Sequence, residues 1–132
     1  MASRMLRKIL VVDDERDIQE VIDFALVEVG GFDVLSCGLG GDALALAPEF
    51  HPDMILLDVM MPEMDGPETL AGLRGQAETA GTPVVFITAK VQPREIEHYL
   101  SLGVADVICK PFDPMTLPGV LDGIWGRLHG NA

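Results

Sequence analysis

Two hydrophobic periods alternate along the chain. Short, largely branched runs at residues 8–12, 33–37, 54–57, 84–87 and 107–109 have the length and composition of strands buried on both faces. Between them, apolar residues recur at helical spacing. The first such segment carries Ile18, Val21, Ile22, Ala25, Leu26 and Val29, and Gly30-Gly31 supplies a stop that tolerates positive φ. A second helix is predicted over 42–47, ending near Pro48, and a third from Pro67 to about Ala77, with Pro67 at a first helical position. Pro93 opens a fourth helix that turns Ile96 and Leu100 inward and closes at Gly103. The last, behind an Asp113-Pro114 cap, shows the stripe Leu117, Val120, Leu121, Ile124, Trp125 and Leu128; Pro118 and the glycines at 119, 123 and 126 predict a kinked or frayed beginning and a plain surface. Gly38, Gly40 and Gly41 form no phosphate-loop motif and are read as a loop.

Strands alternating with helices imply right-handed crossovers and helices on both faces of a parallel sheet. The expected fold is α/β, a doubly wound five-stranded parallel sheet in three α/β/α layers, with strand order 2-1-3-4-5. The binding crevice of such a sheet lies at the carboxyl ends of strands one and three, where the order reverses. At 132 residues the chain has the size of one domain. Nine Lys and Arg against 21 Asp and Glu give a formal charge of −12, which repels nucleic-acid phosphate and anionic lipid and favours protein or cation partners. The apolar stretch after the basic start MASRMLRK stops at Asp13, too soon for a secretion signal, and no run is long enough for a membrane span. Cys37 and Cys109 lack metal-ligand spacing and read as apolar filler in strands, as in a reducing cytosol.

The strand ends carry the chemistry. Asp13 and Asp14, Asp58, Thr88 and Lys110 follow or end four runs, so the predicted sheet gathers them on one edge. Each has a plainer alternative: Asp13 or Asp14 as helix cap, Asp58 as turn residue, Thr88 as β-branched strand residue, Lys110 as solvated lysine. Together they read differently. Three carboxylates in a small crevice repel unless a cation or proton is held among them, and a few hard oxygen donors suit Mg²⁺. A carboxylate beside Mg²⁺ can attack phosphorus, and a lysine can neutralise phosphoryl oxygens.

The stretches VVDDE, LLDVMMPEMDG, FITAK and CKPF make the chain resemble a receiver domain of the two-component response regulators, over nearly its whole length. That resemblance implies a flavodoxin-like receiver fold and a single domain over 1–132, core about 6–128, with no output domain. It implies Asp58 as phosphoacceptor, Asp13, Asp14, Asp58 and the Met60 carbonyl as Mg²⁺ ligands, and Thr88 and Lys110 as the phosphoryl-binding side chains. The donor is expected to be a phosphohistidine on a histidine kinase or histidine phosphotransfer protein, in the cytoplasm. The output is expected through a downstream effector protein on the face of the fourth helix, fifth strand and last helix, without direct nucleic-acid or membrane contact. Receivers usually place an aromatic three residues before the lysine, and here that position is Val107. Tyr99, on the fourth helix, is read as a surface aromatic. Met60 is expected to hinder water and Lys90 to screen phosphoryl charge, which lengthens the life of the acyl phosphate. Three other readings stay open: a phosphatase of the haloacid-dehalogenase type, against which stands Met60 where a second carboxylate is needed; a flavodoxin-like carrier, against which stands the acidic first loop; and a receiver that no longer accepts phosphate.

Overall fold

The computed structural model describes residues 5–89 and 92–129. Lys90 and residues 1–4 of the basic start lie outside the described residues. Five strands, β1 (Lys8–Val12), β2 (Asp33–Cys37), β3 (Met54–Asp58), β4 (Val84–Thr88) and β5 (Asp106–Cys109), alternate with helices. These are α1 (Arg16–Asp23, continuing as a π-helical segment, Phe24–Val29), α2 (Gly40–Phe50), α3 (Gly66–Arg74), α4 (Pro93–Ser101) and α5 (Leu117–Leu128). All strand pairs are parallel, in the order β2-β1-β3-β4-β5. The expected doubly wound α/β sheet is therefore present.

Alternation along the strands sorts the side chains into two cores. Ile9, Val11, Leu56 and Ile87 face Ile22 and Leu26 of the first helix and Leu121, Ile124 and Trp125 of α5. Leu10, Leu57 and Phe86 face Ala43 and Ala47 of α2, Leu70 and Leu73 of α3, and Tyr99 of α4. Each fully buried Leu or Ile contributes about 1.5 to 3 kcal/mol. This apolar lattice is large enough to hold β1 and β3 side by side despite the carboxylates at their ends. No described helix is long and apolar enough to cross a membrane.

Several local expectations are corrected. Ile18, Ile22, Ala25 and Leu26 turn inward, but Val21 and Val29 are exposed. Val21 lies one position off the stripe. Val29 is displaced because the Gly30 N–H bonds the Ala25 carbonyl five residues back, at 3.0 Å, and a π turn rotates the end of the helix. Gly31 does take positive φ, at 73°. Helix α2 opens at Gly40-Gly41 rather than after a loop, and a side chain at Gly40 would collide with Thr69 of α3, so glycine there lets the two helices approach closely. It also runs through Pro48. The missing Pro48 N–H leaves the Leu44 carbonyl without its helical donor, and Gln76 Nε2 donates to that oxygen at 2.8 Å. Helix α3 stops at Arg74, earlier than predicted. On α4 the buried residue is Tyr99, while Leu100 is exposed and Ile96 only half-buried. Pro118 produces no break in α5, since it falls in the first turn, where an N–H has no helical acceptor. Val120 and Leu128 of that stripe face outward. Cys37 is buried, but Cys109, at the end of β5, is exposed.

Candidate functional site

Asp13 and Asp14 follow β1, Asp58 ends β3, Thr88 ends β4 and Lys110 follows β5. Parallel pairing across β1, β3, β4 and β5 brings these carboxyl ends to one edge. The loop after β1 is pinned from two sides. The Asp13 N–H bonds the Cys37 carbonyl at 3.1 Å, and Gln19 Nε2 donates to the Asp13 and Cys37 carbonyls, both at 3.0 Å. Neither aspartate caps α1: Glu15 stands at the N-cap without a side-chain cap bond, and Asp13 Oδ1 instead accepts the Glu15 N–H at 2.9 Å. The loop after β3 folds back through Gly66, whose N–H bonds the Val59 carbonyl at 2.9 Å. A Cβ at Gly66 would lie 2.8 Å from Val59 Cα and 2.9 Å from the Asp58 carbonyl oxygen. The same turn starts α3 with a capping box, in which Asp65 Oδ1 accepts the Glu68 N–H at 2.9 Å and Glu68 Oε1 accepts the Asp65 N–H at 3.1 Å.

Asp13 and Asp58 are 1% and 2% exposed, whereas Asp14 is open to solvent. One oxygen from each of the three lies within 4.8 Å of the others. Lys110 Nζ stands 3.3 Å from Asp13 Oδ2, 3.4 Å from Asp58 Oδ1 and 3.4 Å from Glu15 Oε1. Asp58 Oδ1 also accepts the Met60 N–H at 3.4 Å. Asp58 Oδ2 is buried without a hydrogen-bond donor, and Asp13 Oδ2 has only the lysine ammonium, outside hydrogen-bonding alignment.

The charges are consequently out of balance. Burial, and then repulsion from Asp13, push the Asp58 carboxyl up to about 7 despite the opposing pull of Lys110. Burial also raises Asp13. Lys110 is held above its usual range: burial works against its charge, but Asp13 and Asp58 together outweigh it. One ammonium does not compensate two buried carboxylates, and their unpartnered hard oxygens fit a small divalent cation.

The sequence-predicted set is thus brought together: Asp13, Asp14, Asp58 and Lys110 share one pocket, and Thr88 lies buried at the neighbouring strand end. Met60 is exposed at the mouth. Sequence reasoning missed Glu15 as a third anion on Lys110 and Gln19 as the clamp on the first loop. It also missed the Asp65 and Glu68 capping box, although the D-x-x-E spacing before an apolar run carried that signal.

Comparison with known proteins agrees with this fold. The family described as "Response regulator receiver domain" matches residues 9–122. The chain is 38% identical over 113 residues to the DNA-binding response regulator MtrA of Mycolicibacterium paratuberculosis, covering 86% of this chain and 48% of that protein. It is 34% identical over 121 residues to the probable transcriptional regulator ycf27 of Porphyridium aerugineum, covering 92% and 49%. The chain therefore spans about half the length of these relatives. Among solved structures, the chemotaxis protein CheY4 of Vibrio cholerae superposes with a TM-score of 0.83 at 31% identity, covering 90% of this chain and 98% of that one. A response regulator from Desulfuromonas acetoxidans gives 0.84 at 26%, covering 92% and 98%.

Proposed function

Because the chain belongs to the response regulator receiver domains, a family of signalling phosphoacceptors, we propose that Asp58 is its phosphoacceptor and that a phosphohistidine is the donor. The observation that carries this is the Lys110 ammonium set 3.3 to 3.4 Å from both buried carboxylates, Asp13 and Asp58, with Asp14 beside them. In the transfer, a bond forms between an Asp58 oxygen and phosphorus as the bond from phosphorus to the donor imidazole nitrogen breaks. Lys110 then gives up part of its attraction to the carboxylates and turns to the phosphoryl oxygens. Thr88 donates its hydroxyl to another of those oxygens. Asp13, Asp14, Asp58 and the Met60 carbonyl would hold Mg²⁺, which supplies the positive charge that makes attack on an anionic phosphoryl group feasible. The exposed Met60 side chain hinders water's approach to the product.

Two faces follow from the same reading. Val21 and Phe24 of the first helix and Met115 after Lys110 leave an exposed apolar groove edged by Asp17 and Glu20. It adjoins the acceptor pocket along the chain and suits a donor helix with apolar and basic residues. Output goes to an effector protein at α4, β5 and α5, where Leu100 and Val120 are exposed. The site of action is the cytoplasm.

Intact-mass measurement after incubation with Mg²⁺ and a small acyl phosphate tests the core. One phosphate adduct is expected, absent from Asp58→Asn and lost faster from Met60→Asn. An adduct that persists in Asp58→Asn would overturn the assignment.

A further inference from the structure

Tyr99 is 8% exposed and stands edge-on to Phe86, ring centroids 5.4 Å apart at 82°. Phe86 lies two residues before Thr88 on β4, so the alternation of the strand puts both on the face that α4 covers. Its register partner on β5 is Val107, a half-buried aliphatic, and Thr88 is paired with the exposed Cys109. This face of β5 therefore offers no large side chain behind Thr88. The bulk comes from α4 instead. The Tyr99 phenol is raised above its usual range, first by burial and then by Glu95 and Asp65. One side chain of α4 thus touches the strand that presents Thr88.

We infer that Tyr99 is the positioning residue that couples the acceptor pocket to α4, in the place that Val107 leaves without an aromatic on β5. The inference rests on the proposed phosphoacceptor reading. A shift of Thr88 toward a bound phosphoryl group moves β4, and with it Phe86. An edge-to-face pair tolerates displacement poorly, because its attraction depends on ring geometry. Tyr99 must follow, carrying α4. Close packing makes such a unit respond as a body rather than deform locally.

Hydrogen exchange of residues 92–103 with and without Mg²⁺ and beryllofluoride, a phosphoryl mimic, provides the test. In the native chain, loading should change exchange in α4 by about threefold or more. Tyr99→Leu, which keeps apolar volume without the ring, should still load, as read by intact mass with an acyl phosphate, but lose the α4 response. Tyr99→Leu combined with Val107→Tyr should regain part of it, because the ring returns from the strand side. An undiminished α4 response in loaded Tyr99→Leu overturns the coupling role, and so does a native chain that loads without any α4 response. Should Tyr99→Leu fail to fold, Tyr99→Phe decides: it keeps the ring contact and must keep the response. A native chain that takes no phosphoryl group refutes the phosphoacceptor reading itself, which separates the two failures.

Discussion

Burial first, and the Asp13 carboxylate second, raise Asp58 to about 7, and this has a consequence for stability that can be signed. An unfolded aspartate releases its proton near pH 4, so between about pH 4 and pH 7 the folded chain keeps a proton that the unfolded chain has lost. Stability then falls as pH rises through that window, because the native state binds more protons than the unfolded one. In metal-free buffer, roughly 2 to 4 kcal/mol should disappear between about pH 4 and pH 7. Urea denaturation at intervals across this range should show the slope. Asp58→Asn should flatten it and stabilise the metal-free protein at pH 8, while Mg²⁺ should stabilise the native chain more than the variant. A native curve without slope would mean that Lys110 already compensates the pocket despite its further contact with Glu15. The residues that create this frustration were legible along the chain, since each sits where an apolar run ends. The balance among them was not. Glu15 reaches Lys110 across 95 positions of sequence, and only the fold makes them neighbours.

Among the elements, the helices show where local rules yield to packing. Pro48 is a stop in sequence terms, yet α2 continues past it to Phe50. The carbonyl that Pro48 orphans is satisfied by Gln76, from the turn after α3, so the penalty is met by a neighbour rather than by ending the helix. Gln76→Leu should therefore cost about 1 kcal/mol in urea denaturation. The same change in a Pro48→Ala background should cost less, since alanine restores the helical donor; equal costs in both backgrounds would show that the Gln76 bond is independent of the proline. Helix α4 teaches a related lesson. Ile96, Tyr99 and Leu100 are adjacent on one helical surface, and a segment of nine residues has too few apolar positions to fix its own rotation. The space beside Phe86 and Val107 settled it in favour of Tyr99.

For the whole molecule, the parallel sheet converts order along the chain into a shared edge. The groove of Val21, Phe24 and Met115 is lined by the helix that follows Asp14 and the segment that follows Lys110, and on the proposed reading a chain of net charge −12 calls for a basic or neutral donor surface there. Phe24→Ser should slow phosphoryl transfer from a phosphohistidine donor about tenfold while leaving loading from a small acyl phosphate unchanged. Equal slowing of both would place the effect in the pocket instead of at the docking face.

The five strand runs, the helical segments between them and the polar residues at the strand ends were determined by sequence alone, because strand and helix periods are local and a parallel sheet admits few orders; that β2 and β5 are only partly buried was not, since the edge positions belong to the assembled sheet. So were Gly31 as a positive-φ stop and the pairing of Asp13 and Asp14 with Asp58. Tertiary structure alone decided the π turn that rotates Val29 outward, the passage of α2 through Pro48, the burial of Tyr99 and the grip of Glu15 on Lys110. Each of these depends on a partner far away in sequence, whose position exists only once the sheet has closed and the layers have packed.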